Sequence, residues 1–252
     1  MKENEIFKNI QPEIARYPFP ISDSFNFYFG QNKNSKDDYR IEVKGRAYYN
    51  SEEPKAKTDC RYYLELDITK PNSNLEEDKT LAVMMLNPSN TFPEMSGEKS
   101  KIDGTVKNAI RIACKAGYSK VIILNSFNYI NADSTSALKT TDKTSNDISI
   151  EILKNVLSAH KDLMMAWGAK VRPSDKNNIL SVIYELNKFL DLGIYAYAWS
   201  RNSNCPYHPA TRVDNKKTGF PLTRFLKGET NLIELVVKKQ NEEKFELILK
   251  GN

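Results

Sequence analysis

Leu81-Ala82-Val83-Met84-Met85-Leu86-Asn87-Pro88-Ser89-Asn90-Thr91 decides how the chain is read. Six apolar residues without a charge predict a strand covered on both faces, as in a parallel sheet between helices. The run ends abruptly. Pro88 fixes its own φ, removes a donor and biases Asn87 toward an extended conformation. A buried strand that runs into a rigid polar loop is where open α/β sheets place their sites, outside the carboxyl ends of the strands.

The stretches on either side repeat that pattern. Val106, Ala109, Ile110, Ala113 and Cys114 fall at helical spacing, and Gly117 supplies a stop. Val121-Ile122-Ile123-Leu124-Asn125-Ser126-Phe127-Asn128 is a second β-branched run ending in polar groups. A helix over 146–159, a third strand Leu163-Met164-Met165-Ala166-Trp167-Gly168, a helix over 174–190 and a strand over 194–199 follow. Such strand–helix alternation predicts a three-layer α/β/α domain with a central, mostly parallel sheet. Before it, 61–68 alternates well enough for a strand with one wetter face, and 40–49 fits one more strand. The tail holds two amphipathic runs, 232–237 and 245–249, around a charged turn, which suits a hairpin or a broken helix. Residues 1–60 read as an aromatic-rich cap, 61–228 as the α/β domain and 229–252 as an extension packed on it.

Bulk composition narrows the class. The 252 residues suit one large domain, with 40% hydrophobic and 27% charged residues. No run approaches the roughly 18 apolar residues of a membrane span, and residues 1–5 lack the start of a signal peptide. Cys60, Cys114 and Cys205 have no paired metal spacing and leave an odd thiol, which points to a reducing cytoplasm. With His160 and His208 as the two histidines, metal catalysis is set aside and no cofactor is expected. The net charge of +5 is compatible with a polyanionic partner without requiring one.

Three strand ends carry polar groups that converge at one edge of such a sheet: Asn87 with Ser89, Asn125 with Asn128, and the loop bearing His208. Read singly, each carboxamide is a turn former and a Pro-flanked His is structural. Read together, Leu86-Asn87-Pro88-Ser89, Ile123-Leu124-Asn125, Ala166-Trp167-Gly168-Ala169 and His208-Pro209 followed by Gly219-Phe220 resemble, in order, the motifs of the uracil-DNA glycosylase superfamily. The same marks are similar to those of an uncharacterised bacterial and phage family, domain of unknown function 1643.

The resemblance implies a uracil-DNA-glycosylase-like fold and a monofunctional enzyme acting on DNA. Such an enzyme hydrolyses the N-glycosidic bond of a flipped-out damaged or modified pyrimidine and leaves an abasic site. Asn87 would orient the water, with Pro88 and Ser89 shaping the pocket floor. Asn125 would read the edge of the base, and Trp167 of the third motif would contact the substrate. His208 would stabilise charge on the leaving base. Phe127 or Tyr129 would stack on the base beside Asn128. Arg201, Arg212, Lys216 and Lys217 would hold phosphates, unless they are simply a solvated basic loop. The chain departs from the uracil-specific pattern at two positions. An acidic residue is replaced by Asn87, which cannot accept a proton, and a large aromatic by Ser89, which leaves room for a 5-substituted pyrimidine. Asp103 is either the missing carboxylate or the N-terminal residue of the helix that follows. The expected partner is DNA, met by a monomer without a membrane, in repair or in anti-phage defence. The rival readings are a catalytically inactive nucleic-acid-binding protein of the same fold and a hydrolase of free nucleosides or nucleotides.

Overall fold

The computed structural model describes residues 21–27, 39–49, 60–69, 79–88, 102–130, 143–210, 221–227 and 231–251. Ser89, Arg212, Lys216, Lys217 and the Gly219-Phe220 pair lie outside them. The fold is mixed α/β around one large sheet. Its elements are β1 (Ile21–Phe27), β2 (Tyr39–Tyr49), β3 (Arg61–Thr69), β4 (Thr80–Met85), α1 (Gly104–Lys115), β5 (Lys120–Asn125), α2 (Lys143–Ala159), β6 (Asp162–Met165), α3 (Pro173–Asn187), β7 (Gly193–Ala196), β8 (Trp199–Ser200), β9 (Cys205–Pro206), α4 (Pro221–Lys227), β10 (Ile233–Lys239) and β11 (Phe245–Leu249).

Nine strands form the sheet in the order β1-β2-β3-β5-β4-β6-β7-β10-β11. The inner pairings β5–β4, β4–β6 and β6–β7 are parallel. The outer pairings are antiparallel, so the sheet is mixed rather than mostly parallel. All six residues of β4 are buried, as an uncharged run at the centre of a sheet must be. From β4 the chain crosses through α1 to β5 on one side, then through α2 to β6 on the other. The winding therefore reverses between β4 and β6, and that reversal opens a crevice at their carboxyl ends.

The alternation of side chains splits the core in two. Leu81, Val83 and Met85 join Val121 and Ile123 against Val106, Ala109, Ile110 and Ala113 of α1 and Phe225 of α4. Ala82, Met84, Ile122 and Leu124 join Ile152, Val156 and Leu157 of α2 and Ile179, Leu180 and Ile183 of α3. Asp103 caps α1, its carboxylate accepting from the amides of Thr105 at 2.7 Å and Val106 at 3.1 Å, and Gly117 at φ +87° follows its last turn.

Two expectations change here. The face of β3 expected to be wetter is dry over most of its length: Arg61, Tyr63 and Glu65 are buried, and Asp67 at its end is exposed. Glu65 is tolerated because Tyr63 and Arg46 (2.9 Å) donate to its carboxylate and Lys120 lies 3.4 Å away. Burial alone would raise the pKa of that carboxyl; the Tyr63 hydrogen bond and the charges of Lys120 and Arg46 outweigh it and hold it below the usual range. The strand expected over 194–199 stops at Ala196. Trp199–Ser200 pairs instead with Cys205–Pro206 in a separate hairpin, and this hairpin carries the chain out to His208. The tail resolves as the hairpin β10–β11, with β10 paired to β7.

Candidate functional site

Three strand ends are laced together at the crevice. The Ser126 amide donates to the Met85 carbonyl and its hydroxyl to the Leu86 carbonyl, both at 2.9 Å, while the Ala166 amide donates to Met84 at 2.8 Å. These bonds fix Asn87 after β4 beside Asn125 at the end of β5. Asn87 is half-buried, and its amide nitrogen donates to the Pro88 carbonyl at 3.2 Å. Asn125 is 3% exposed, yet neither its amide nitrogen nor its oxygen has a partner among the described residues. A buried polar group left unpaired costs about 1–3 kcal/mol. Asn125 carries both a donor and an acceptor that folding does not use.

His208 reaches the same edge from the β8–β9 hairpin. The Tyr197 hydroxyl donates to the His208 carbonyl at 2.9 Å, and the Asn108 amide of α1 donates to the Pro209 carbonyl at 3.0 Å. Within the loop the Ala210 amide donates to His208 Nδ1 at 3.2 Å. Burial pushes the pKa of the imidazole down to about 4, against an upward pull from Asp103. The ring is therefore neutral at physiological pH. Because Nδ1 accepts, its proton sits on Nε2, which makes that atom a donor without a full charge. Gly168, at φ +74°, passes directly behind: a Cβ there would lie 3.2 Å from the His208 Cβ.

The expected residues divide between the two faces of the sheet. Asn125 continues the alternation of Val121 and Ile123, which face α1. His208, with its neighbour Pro209 bonded to α1 and with Asp103 close enough to bias it, belongs to that side too. Asp103 is a helix cap, so of its two sequence readings the structural one describes its contacts. Trp167, Phe127 and Asn128, expected to contact substrate, are packed elsewhere. Trp167 is 1% exposed in the α2–α3 core. The Phe127 ring lies under the Arg172 guanidinium at 4.9 Å and 5.6 Å from Tyr129, which packs on that same core. Asn128 donates to the Ser149 hydroxyl of α2, and its carbonyl accepts from the Arg61 amide at 2.9 Å. The physical reason is the end of regular alternation at Asn125, after which 126–129 wrap toward α2. Arg201 is exposed in the turn between β8 and β9.

Sequence reading missed Ser126, Tyr197 and Asn108, whose work is to hold the motif residues in place. The sequence marks none of them, because a Ser after a strand, an aromatic near a strand end and an Asn inside a helix each have commoner explanations.

A mixed sheet whose polar site sits at the carboxyl ends of parallel strands defines the structural class. Within it, the chain belongs to the family described as protein of unknown function (DUF1643), whose model matches residues 61–210. That match runs from β3 through the His-Pro loop and takes in Asn87, Asn125 and His208. No curated protein and no solved structure matches the chain.

Proposed function

We propose that the chain is a monofunctional DNA glycosylase with a three-layer, uracil-DNA-glycosylase-like domain that releases a damaged or 5-substituted pyrimidine. The observation that carries this reading is the Asn125 carboxamide, buried with donor and acceptor both unpaired among the described residues. A pyrimidine edge offers the complementary acceptor and donor side by side, and satisfying both recovers the cost of leaving them empty. His208 supports it: a neutral imidazole with its proton on Nε2 is suited to hydrogen-bond the base oxygen on which negative charge develops.

The bond from the sugar C1′ to the base nitrogen breaks, and its electron pair leaves with the base. A water oxygen, oriented by Asn87, adds to C1′ and releases its proton to solvent. Asn87 cannot take that proton, so departure of the base, assisted by His208, carries the barrier. A nucleic-acid-binding protein without catalysis is the second reading. It is favoured by Asp103, the nearest carboxylate to His208 named above, being committed to capping α1.

The test is base release from duplexes containing uracil, thymine mismatches, or hydroxymethylated or glucosylated cytosine, read by alkaline cleavage at abasic sites. Asn125→Ala and His208→Ala are each expected to lower release about 10²–10³-fold. No release from any duplex, with salt-sensitive DNA binding retained, selects the second reading.

A further inference from the structure

A cleft of about 510 Å³ opens on the α3 side of the Trp167-Gly168-Ala169 turn, away from Asn125. Val171 and Phe245 give it apolar wall, Ser203 a hydroxyl, and Lys176 and Lys244 two ammonium groups from separate elements. Neither lysine has an ion-pair partner among the described residues. Its volume falls within the range of small-molecule sites, about 300–1,000 Å³.

The cleft is held open by the fold. The Asn177 side chain of α3 donates to the Glu243 carbonyl at 2.7 Å and accepts from the Phe245 amide at 2.9 Å, which clamps the β10–β11 turn against the helix. Phe245 leans on Tyr184 at 5.4 Å between ring centres. Glu243 also lines the cleft and sets one negative charge against the two lysines, while Asp175, in the first turn of α3, is neutralised by Arg172 at 2.6 Å. The Cys205 thiol at the wall is pushed up in pKa by burial, against the charge of Lys176, and is a poor nucleophile.

Gly168 links this cleft to the candidate site, since it lines the cleft while lying against His208. We infer that the cleft receives the nucleotide flanking the target base, with its phosphate on Lys176 and Lys244 and its base against Val171 and Phe245. This inference rests on the glycosylase reading for its ligand class. A phosphate is the anion that two cations from different elements hold without a matched fork, and an apolar wall beside them suits a base.

The experiment compares Lys176→Ala/Lys244→Ala with Lys154→Ala/Lys161→Ala, a double variant that removes the same charge from exposed positions away from the cleft. Fluorescein-labelled 20-nucleotide single strands and duplexes are titrated by anisotropy between 50 and 200 mM salt, and base release is assayed in parallel. Loss of this one phosphate contact is expected to flatten the slope of log K against log salt by about 0.7–0.9 and to weaken binding about tenfold. The control pair should leave the slope unchanged. Equal slopes for the cleft variant and wild type, equal changes in both double variants, or no DNA binding by wild type overturn the inference. The two readings fail separately. Without base release, a flattened slope still upholds the cleft; with base release, an unchanged slope removes the cleft and leaves the glycosylase.

Discussion

Asn125 is destabilising where it stands. Truncating it to Ala removes two unpaired polar atoms at the cost of a small void, so the two effects offset. Asn125→Ala is therefore expected to melt within about 3 °C of wild type or above it. A drop of more than about 6 °C in thermal denaturation would mean the amide is bonded after all. A residue whose removal leaves stability intact while ending base release is the signature of a group kept for function.

At the scale of elements, α1 does two jobs. Its first turn is capped by Asp103, and its Asn108 holds the His-Pro loop, while Arg111 Nη1 donates to the Asn108 oxygen at 2.8 Å. Asn108→Ala should cost about 1 kcal/mol in denaturant unfolding and lower base release by loosening His208, with KM changing less than kcat. Unchanged turnover would mean that the Tyr197 bond alone positions the loop. The helix itself was legible, since five apolar positions at helical spacing reappear as its buried face. Its tether to Pro209 was not, because a contact between residues 101 apart leaves no local pattern.

The same contrast holds for the whole molecule. β4, β5, β6 and the helices between them follow from apolar runs and periodicity, which report burial directly. The strands over 40–49 and 61–68 were legible too; their antiparallel pairing onto the parallel core and the division of the motif residues between two faces were not, since neither is encoded in local alternation. For Asn87, Asn125 and His208 the convergence at one edge was legible; for Phe127, Asn128 and Trp167 it was not.

Acid stability is also a property of the entire chain. Burial depresses the pKa of both His208 and His160, so the unfolded chain binds protons that the folded one refuses. The contribution of His208 is whole above pH ~6.5 and is lost as pH falls toward 4, amounting to about 3 kcal/mol. Melting temperature should fall steadily across that window. Protonation of Nδ1 also breaks the bond from the Ala210 amide, so base release should decline near pH 4 rather than near 6.5. An activity midpoint at the ordinary histidine value would show that the ring is solvated.

Gly168 is one residue thick and borders both the cleft and His208. Its positive φ suits glycine, so neither neighbour can be repacked by giving it a side chain. Two ligands seated on opposite sides of one peptide unit share its geometry, which gives their binding a route to couple. If filling the cleft tightens the grip on a flipped base by some factor, thermodynamic reciprocity requires the flipped base to tighten the cleft by that same factor. A strand would then be held most firmly where its target is already unstacked, and recognition of the neighbour and of the base would be a single event.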